Sequence, residues 1–289
     1  MSSSTHSVRS ALRSLCALSL VALGACGTPL VGGECAEGYL FLDGACVAEC
    51  APGYLRRDGY CRLAEGELIV LGLDFAEAQP GDTAGQILGN AVYLPDHQPV
   101  RILDYRELSA WNSSSVSNTV DLIAGEGLSR RRTVTTRVAK DASDVMEHLD
   151  IARTDVLFIH AQPLAEPGDL AALGASWAKA MDRFLAQRGV VIVLTSTEGV
   201  DEMSAFLDAA GLIHGAKTED VSGEWLNVED DGDILSRGVP DPLPRTPRCT
   251  SLTLSEPVDP DLLQVVVSDT GAPVVMRRAY AVDSAYLEP

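Results

Sequence analysis

The stretch FLAQRGVVIVLTSTEG (residues 184–199) decides how this chain folds. Phe184 and Leu185 end a helical pattern that opens at Asp169 and carries Leu173, Trp177, Ala180 and Met181 on one face. Gly189 stops that helix. The next residues, VVIVLT, are apolar without a break, which predicts a central strand of a parallel sheet, buried on both faces. A polar turn follows, and VDEMSAFLDAAGLI (residues 200–213) resumes helical spacing until Gly211. Many α/β enzymes hold a nucleophile at such a strand-to-helix turn. Ser196 is therefore the first residue to question.

Working outward, the alternation continues on both sides. TDVLFIHAQ (residues 154–162) reads as a buried strand, and DASDVMEHL (residues 141–149) as a helix opened by an Asp cap. RTVTTRV (residues 132–138) is β-branched and alternating. Residues 114–124 predict a helix with Val116, Val120 and Ile123 on one face, and VRILDY (residues 100–105) a strand. ELIVLGLDF and NAVYLP are shorter apolar runs flanked by Gly or Pro, and both read as strand-like. Toward the C-terminus, residues 227–260 are rich in Pro and Asp, and LLQVVVSDTGAPVVMRRAY (residues 262–280) predicts a β-hairpin. Strands alternating with helices imply an α/β domain over residues 67–289, with a mostly parallel sheet and helices on both faces.

The order of DVLFIHAQ, the Trp-bearing helix, FLAQRGVVIVLTSTEG, LSRGVPDP and GAPVVMRR resembles the class I glutamine amidotransferase-like superfamily. The branch nearest in pattern is the one related to trehalose-utilisation proteins and β-galactosidase trimerisation domains, and the likeness spans residues 68–280. The resemblance implies a flavodoxin-like fold. It also implies a site: catalytic members carry a Cys in a G-x-C-x-G elbow after the strand matching VVIVLT, and a His much later in the chain. Here the elbow reads Leu194-Thr195-Ser196-Thr197-Glu198, with no Cys and no flanking Gly, and no His follows His214. DGDILSRGVP resembles a family segment that commonly carries His-Pro, but Asp233 and Ile234 stand there.

A Ser196 hydroxyl needs a base within hydrogen-bond reach. His97 falls in an early loop, His148 on a helix and His214 in a loop, which leaves His160, at the end of its strand, as the base candidate. Ligands of open α/β sheets bind outside the carboxyl ends of the strands. The expected crevice lining is therefore Asp104, His160, Gln162, Thr195, Ser196 and Glu198. Glu229, Asp231 and Asp233 imitate a calcium loop, but without its closing Glu they read as a solvated acidic turn. SRRR (residues 129–132) reads as a surface turn. No phosphate-cradling Gly loop or dinucleotide fingerprint occurs, and no cofactor or metal site is expected.

The N-terminus speaks to location. His6, Arg9 and Arg13 precede LCALSLVALGAC, an apolar run too short to span a bilayer. Its end, Leu23-Gly24-Ala25-Cys26, resembles the lipobox of bacterial lipoproteins, which implies a signal peptide over residues 1–25 and acylation (palmitate among the chains) of Cys26. Several acyl chains make a stable membrane anchor. Gly27 is no inner-membrane retention signal, so the outer membrane is the expected site in a two-membrane envelope. The formal charge is −19, and losing residues 1–25 removes two Arg and no acid, giving about −21. Such a surface repels nucleic acid, so nucleic-acid functions are excluded.

After a linker (residues 26–34) comes a repeat, CAEGYLFLDGAC (residues 35–46) and CAPGYLRRDGYC (residues 50–61). Asp-Gly marks a turn between two short arms in each copy. A unit this small needs cross-links, so Cys35, Cys46, Cys50 and Cys61 are expected to form disulfides. The repeat favours Cys35–Cys46 and Cys50–Cys61, with Cys35–Cys50 and Cys46–Cys61 the alternative. Cys249 falls outside the repeat and reads as a buried structural thiol. The expectation is a lipid-anchored envelope protein whose α/β domain binds an envelope protein or glycan. The alternative is a hydrolase of envelope carbohydrate or amide substrates, using Ser196 and His160.

Overall fold

A computed structural model divides the chain into two compact units, Met1–Arg62 and Leu63–Pro289. In the larger unit it describes residues 65–110, 113–195, 202–244, 248–255 and 261–281; in the smaller unit it describes only short strand backbones. There Tyr39–Leu42 pairs antiparallel with Ala45–Ala48, on either side of Asp43-Gly44 in the sequence. Tyr54–Arg57 and Tyr60–Leu63 form a second two-stranded sheet, on either side of Asp58-Gly59. The signal peptide, Cys26 and the side chains of Cys35, Cys46, Cys50 and Cys61 lie outside the described residues.

The larger unit is an α/β domain. In chain order its elements are β1 (Glu65–Leu71), α1 (Thr83–Val92), β2 (Val100–Tyr105), α2 (Ser114–Ser129), β3 (Val134–Ala139), α3 (Ala142–His148) and β4 (Val156–Ile159). Then follow α4 (Asp169–Ala186), β5 (Val190–Leu194), α5 (Glu202–Ala209), β6 (Lys217–Asp220), β7 (Leu226–Val228), β8 (Thr250–Thr253), β9 (Leu262–Ser268) and β10 (Pro273–Ala281). Eight strands form one sheet in the order β7-β9-β10-β1-β5-β4-β2-β3. The ladders from β1 through β5, β4 and β2 to β3 are parallel. The C-terminal hairpin β9–β10 extends the sheet antiparallel from β1, with β7 at its edge. β6 and β8 make a separate antiparallel pair.

Strand alternation sends successive side chains to opposite faces, and each face has its own core. Ile69, Leu71, Ile102, Val156, Phe158, Val190 and Ile192 pack against Ile87 and Leu88 of α1 and Leu122 and Ile123 of α2. Leu68, Val70, Leu103, Leu157, Val191 and Val193 meet Val145 of α3, Trp177 and Met181 of α4, and Phe206 of α5. The chain leaves β2 toward β3 with α2 on one face, then returns across β2 to β4 with α3 on the other. The strand order therefore reverses between β2 and β4, and a crevice is expected at their carboxyl ends.

Two glycines allow close approaches. A Cβ on Gly72, at the end of β1, would lie 1.8 Å from the Thr250 carbonyl oxygen, so only Gly lets β8 close over that strand end. A Cβ on Gly174 in α4 would lie 2.5 Å from the Phe206 carbonyl oxygen, which brings the α4 and α5 backbones together.

The strand-like reading of NAVYLP is corrected, because Asn90, Ala91 and Val92 end helix α1. That helix is opened by Asp82, whose side chain accepts from the Gly85 N–H at 2.7 Å. Helix α2 also runs past residue 124 to Ser129. Its polar extension is held because the Glu126 carboxylate is buried, accepting from the Gly81 N–H at 2.6 Å and facing Arg130.

Candidate functional site

His160 follows β4 directly, and its N–H donates to the Tyr105 carbonyl, so the ladder with β2 continues one residue beyond the strand. Position 160 shares the α1/α2 face with Val156 and Phe158, and the His160 ring packs edge-on against Phe158 at 4.9 Å. Register pairs Phe158 with Asp104 on β2, which places Asp104 beside the same ring. The result is a buried pair: His160 Nε2 lies 3.1 Å from Asp104 Oδ1, and each residue is 2% exposed. Neither atom is aligned for a hydrogen bond, with the other or with any described group. Arg106 Nη2 approaches the second oxygen, Asp104 Oδ2, at 3.4 Å.

Of the other expected lining residues, Gln162 and Thr195 are described. Gln162 locks the loops after β2 and β4 together: its Oε1 accepts from the Leu108 N–H and its Nε2 donates to the His160 carbonyl, both at 2.7 Å. Thr195 is buried, with its Oγ1 at 2.6 Å from Thr250 Oγ1 and its N–H donating to the Leu71 carbonyl. His160 and Thr195 share a small cavity of about 40 Å³ with Asp74, Ser113 and Cys249. Ser196 and Glu198 lie outside the described residues. Among the described residues, no hydroxyl or thiol hydrogen-bonds to the His160 ring.

A larger cleft of about 350 Å³ adjoins this cavity at the carboxyl end of β1, lined by Leu73, Asp74, Glu77, Asp82, Leu243 and Arg248. Its wall is the loop after β1, which is tied to α2 from below. Asp74 Oδ1 accepts from the Ala76 N–H and from Ser115 Oγ, while Asn118 donates to the Phe75 and Ala78 carbonyls. Asp82 accepts from the Gln79 and Gly85 N–H groups. Glu77 is exposed, so its carboxylate is available to a ligand. The positional rule that selects Asp104 and His160 also applies to Asp74, which follows the first parallel strand by three residues. That was the available signal for this cleft.

Other polar features have structural work. Asp233 is buried against the sheet: Oδ2 accepts from Arg277 Nη1 at 2.8 Å and Oδ1 from the Leu235 N–H. Arg277 also donates twice to the fully buried Glu67, at 2.8 and 2.7 Å. Burial opposes the Arg277 charge, but Glu67 and Asp233 overcome that and raise its pKa. Asp233 thus faces inward while Glu229 and Asp231 are exposed, so the three carboxylates do not converge on one ion. In SRRR, Arg132 donates to the carbonyls of Tyr93, Pro95 and His97, and Arg130 faces Glu126. The turn fastens α1 to α2.

At the amino end of the sheet, Asp155 holds His97 at 2.7 Å and accepts from both the side chain and the N–H of Arg101. Burial alone would raise the Asp155 carboxyl, but the Arg101 hydrogen bonds and His97 hold it below the ordinary value. His214 sits by Asp208 on the surface. The Cys249 thiol is buried and donates to the Val221 carbonyl, as a structural thiol would. Asp144, Glu147 and His148 place donor atoms within 4.8 Å of one another on the surface of α3. Asp144 already receives Arg137 and the Lys140 N–H there, and these hydrogen bonds, the Lys140 one first, lower its pKa.

No known protein family matches this chain, and no curated protein or solved structure matches it.

Proposed function

We propose that this chain is a bacterial envelope lipoprotein, lipidated at Cys26, whose α/β domain binds a ligand without turning it over. The observation that carries the binding reading is the cleft of about 350 Å³ at the carboxyl end of β1, within the size range of small-ligand sites. Its chemistry suits a glycan fragment of the envelope. The Asp74, Glu77 and Asp82 carboxylates accept from sugar hydroxyls, Arg248 donates to them, and Leu73, Ala78 and Leu243 offer an apolar wall to a sugar's C–H face. A formal charge of −19 disfavours polyanionic ligands.

Calorimetric titration of the full-length chain with envelope oligosaccharides tests this reading. Saturable binding is expected, with Glu77→Ala weakening it about tenfold through loss of a charged acceptor. Thr83→Trp, which obstructs the cleft, is expected to abolish it. Absence of saturable heat, or binding indifferent to both variants, overturns the reading.

The hydrolase reading keeps one observation in its favour. His160 reaches the cavity that contains Thr195, the residue before Ser196, and it has Asp104 behind its ring. A serine-directed phosphonate separates the two readings. Labelling of Ser196 that is lost in His160→Gln would establish the hydrolase, and no labelling of Ser196 would remove it.

A further inference from the structure

A second opening lies on the α1/α2 face of the sheet, between α2 and the edge strand β3. Its volume is about 230 Å³. Val120 and Ala124 of α2 and Val134 and Thr136 of β3 form the mouth, all half-buried or exposed. Ile102, Ile123 and Phe158 line the floor and are buried. The groove exists because α2 covers β2 and β4 but leaves β3 exposed from Thr135 to Val138.

Asp104 and His160 also line this groove, and they are the polar atoms that make it more than a packing defect. Asp104 Oδ1 and His160 Nε2 are buried, 3.1 Å apart, and without a hydrogen-bond partner among the described residues. Buried polar groups are normally satisfied, and an orphaned pair calls for an occupant. Water alone could serve the two atoms, but it would leave the apolar remainder of the groove poorly filled. A cavity of about 150 Å³ accommodates benzene, so about 230 Å³ has room for a ring and a short substituent.

We propose that this groove binds a small neutral alcohol with an apolar body, such as an aromatic or short aliphatic alcohol. Its hydroxyl donates to Asp104 Oδ1 and accepts from the Nε2–H of His160, and its apolar part rests on Ile102, Ile123 and Phe158. The second Asp104 oxygen already faces Arg106, so the head group that fits is neutral rather than cationic. The groove is distinct from the cleft proposed for a glycan and does not depend on that reading.

The test uses the purified full-length chain with benzyl alcohol and toluene as probes, followed by ligand-observed NMR and calorimetry. Benzyl alcohol is expected to bind saturably and at least about tenfold more tightly than toluene, because only it makes hydrogen bonds to the two buried polar atoms. Val120→Trp, a change at the half-buried mouth, is expected to abolish binding of both. Asp104→Leu is expected to abolish the preference for the alcohol while toluene still binds. Equal affinity for the two probes, no saturable binding of either, or binding that survives Val120→Trp overturns the proposal. If Asp104→Leu fails to fold, the wild-type comparison and Val120→Trp decide alone. Glycan affinity is unaffected by Val120→Trp, so failure here leaves the glycan reading standing.

Discussion

Arg277 shows how single residues organise this domain around buried charge. Its guanidinium ties Glu67 at the start of β1 to Asp233, far away in the Pro-rich tail, so a sheet strand and an irregular loop share one ion network. Removing the cation takes the counter-charge from two buried carboxylates, and Arg277→Met is expected to cost about 3–5 kcal/mol in urea unfolding. Asp155 works similarly at the same, amino end of the parallel strands, just before β4. Its folded-state carboxyl lies below the ordinary value, so its stabilisation is complete above the unfolded pKa of about 3.9. That stabilisation is lost as pH falls through the lower folded value. Melting temperatures from pH 6 to pH 2 are expected to fall less steeply in Asp155→Asn than in the parent, from a lower starting point.

At the scale of elements, α4 and α5 meet through Gly174, where helix propensity and packing conflict. Ala is favoured over Gly by about 1 kcal/mol in a helix interior. Gly174→Ala is nevertheless expected to destabilise by about 1–3 kcal/mol, because the new methyl would press on the Phe206 carbonyl. Denaturant midpoints with unchanged slope would establish this. The elements that could be read in advance were those whose burial is written locally. VVIVLT is apolar throughout because both faces of β5 are covered, and α4 repeats its apolar stripe over Asp169–Ala186. Helix α1 was illegible because two glycines weaken its helical pattern, and what holds it is packing on α2 and the cap at Asp82. At the site, alternation could place Asp104 and His160 on the rim. Their contact depends on the register of β2 against β4, which no local pattern encodes. The cleft at Asp74 was harder still, since its wall depends on Glu126 reaching back to Gly81 across 45 residues of chain.

For the whole molecule, location and binding are separable claims. If Cys26 is the lipid attachment point, Cys26→Ser is expected to abolish incorporation of labelled palmitate and to release the protein from the membrane pellet. The α/β domain should bind its ligand unchanged in that variant, because every residue of the proposed cleft belongs to the larger unit. The decisive measurement is mass spectrometry of envelope oligosaccharides recovered after long incubation with the full-length chain, read together with the fraction retained on the protein. The expected result is retention of intact oligosaccharide, reduced by Glu77→Ala. Cleaved sugar, or no retention at all, would contradict a domain that binds without catalysis.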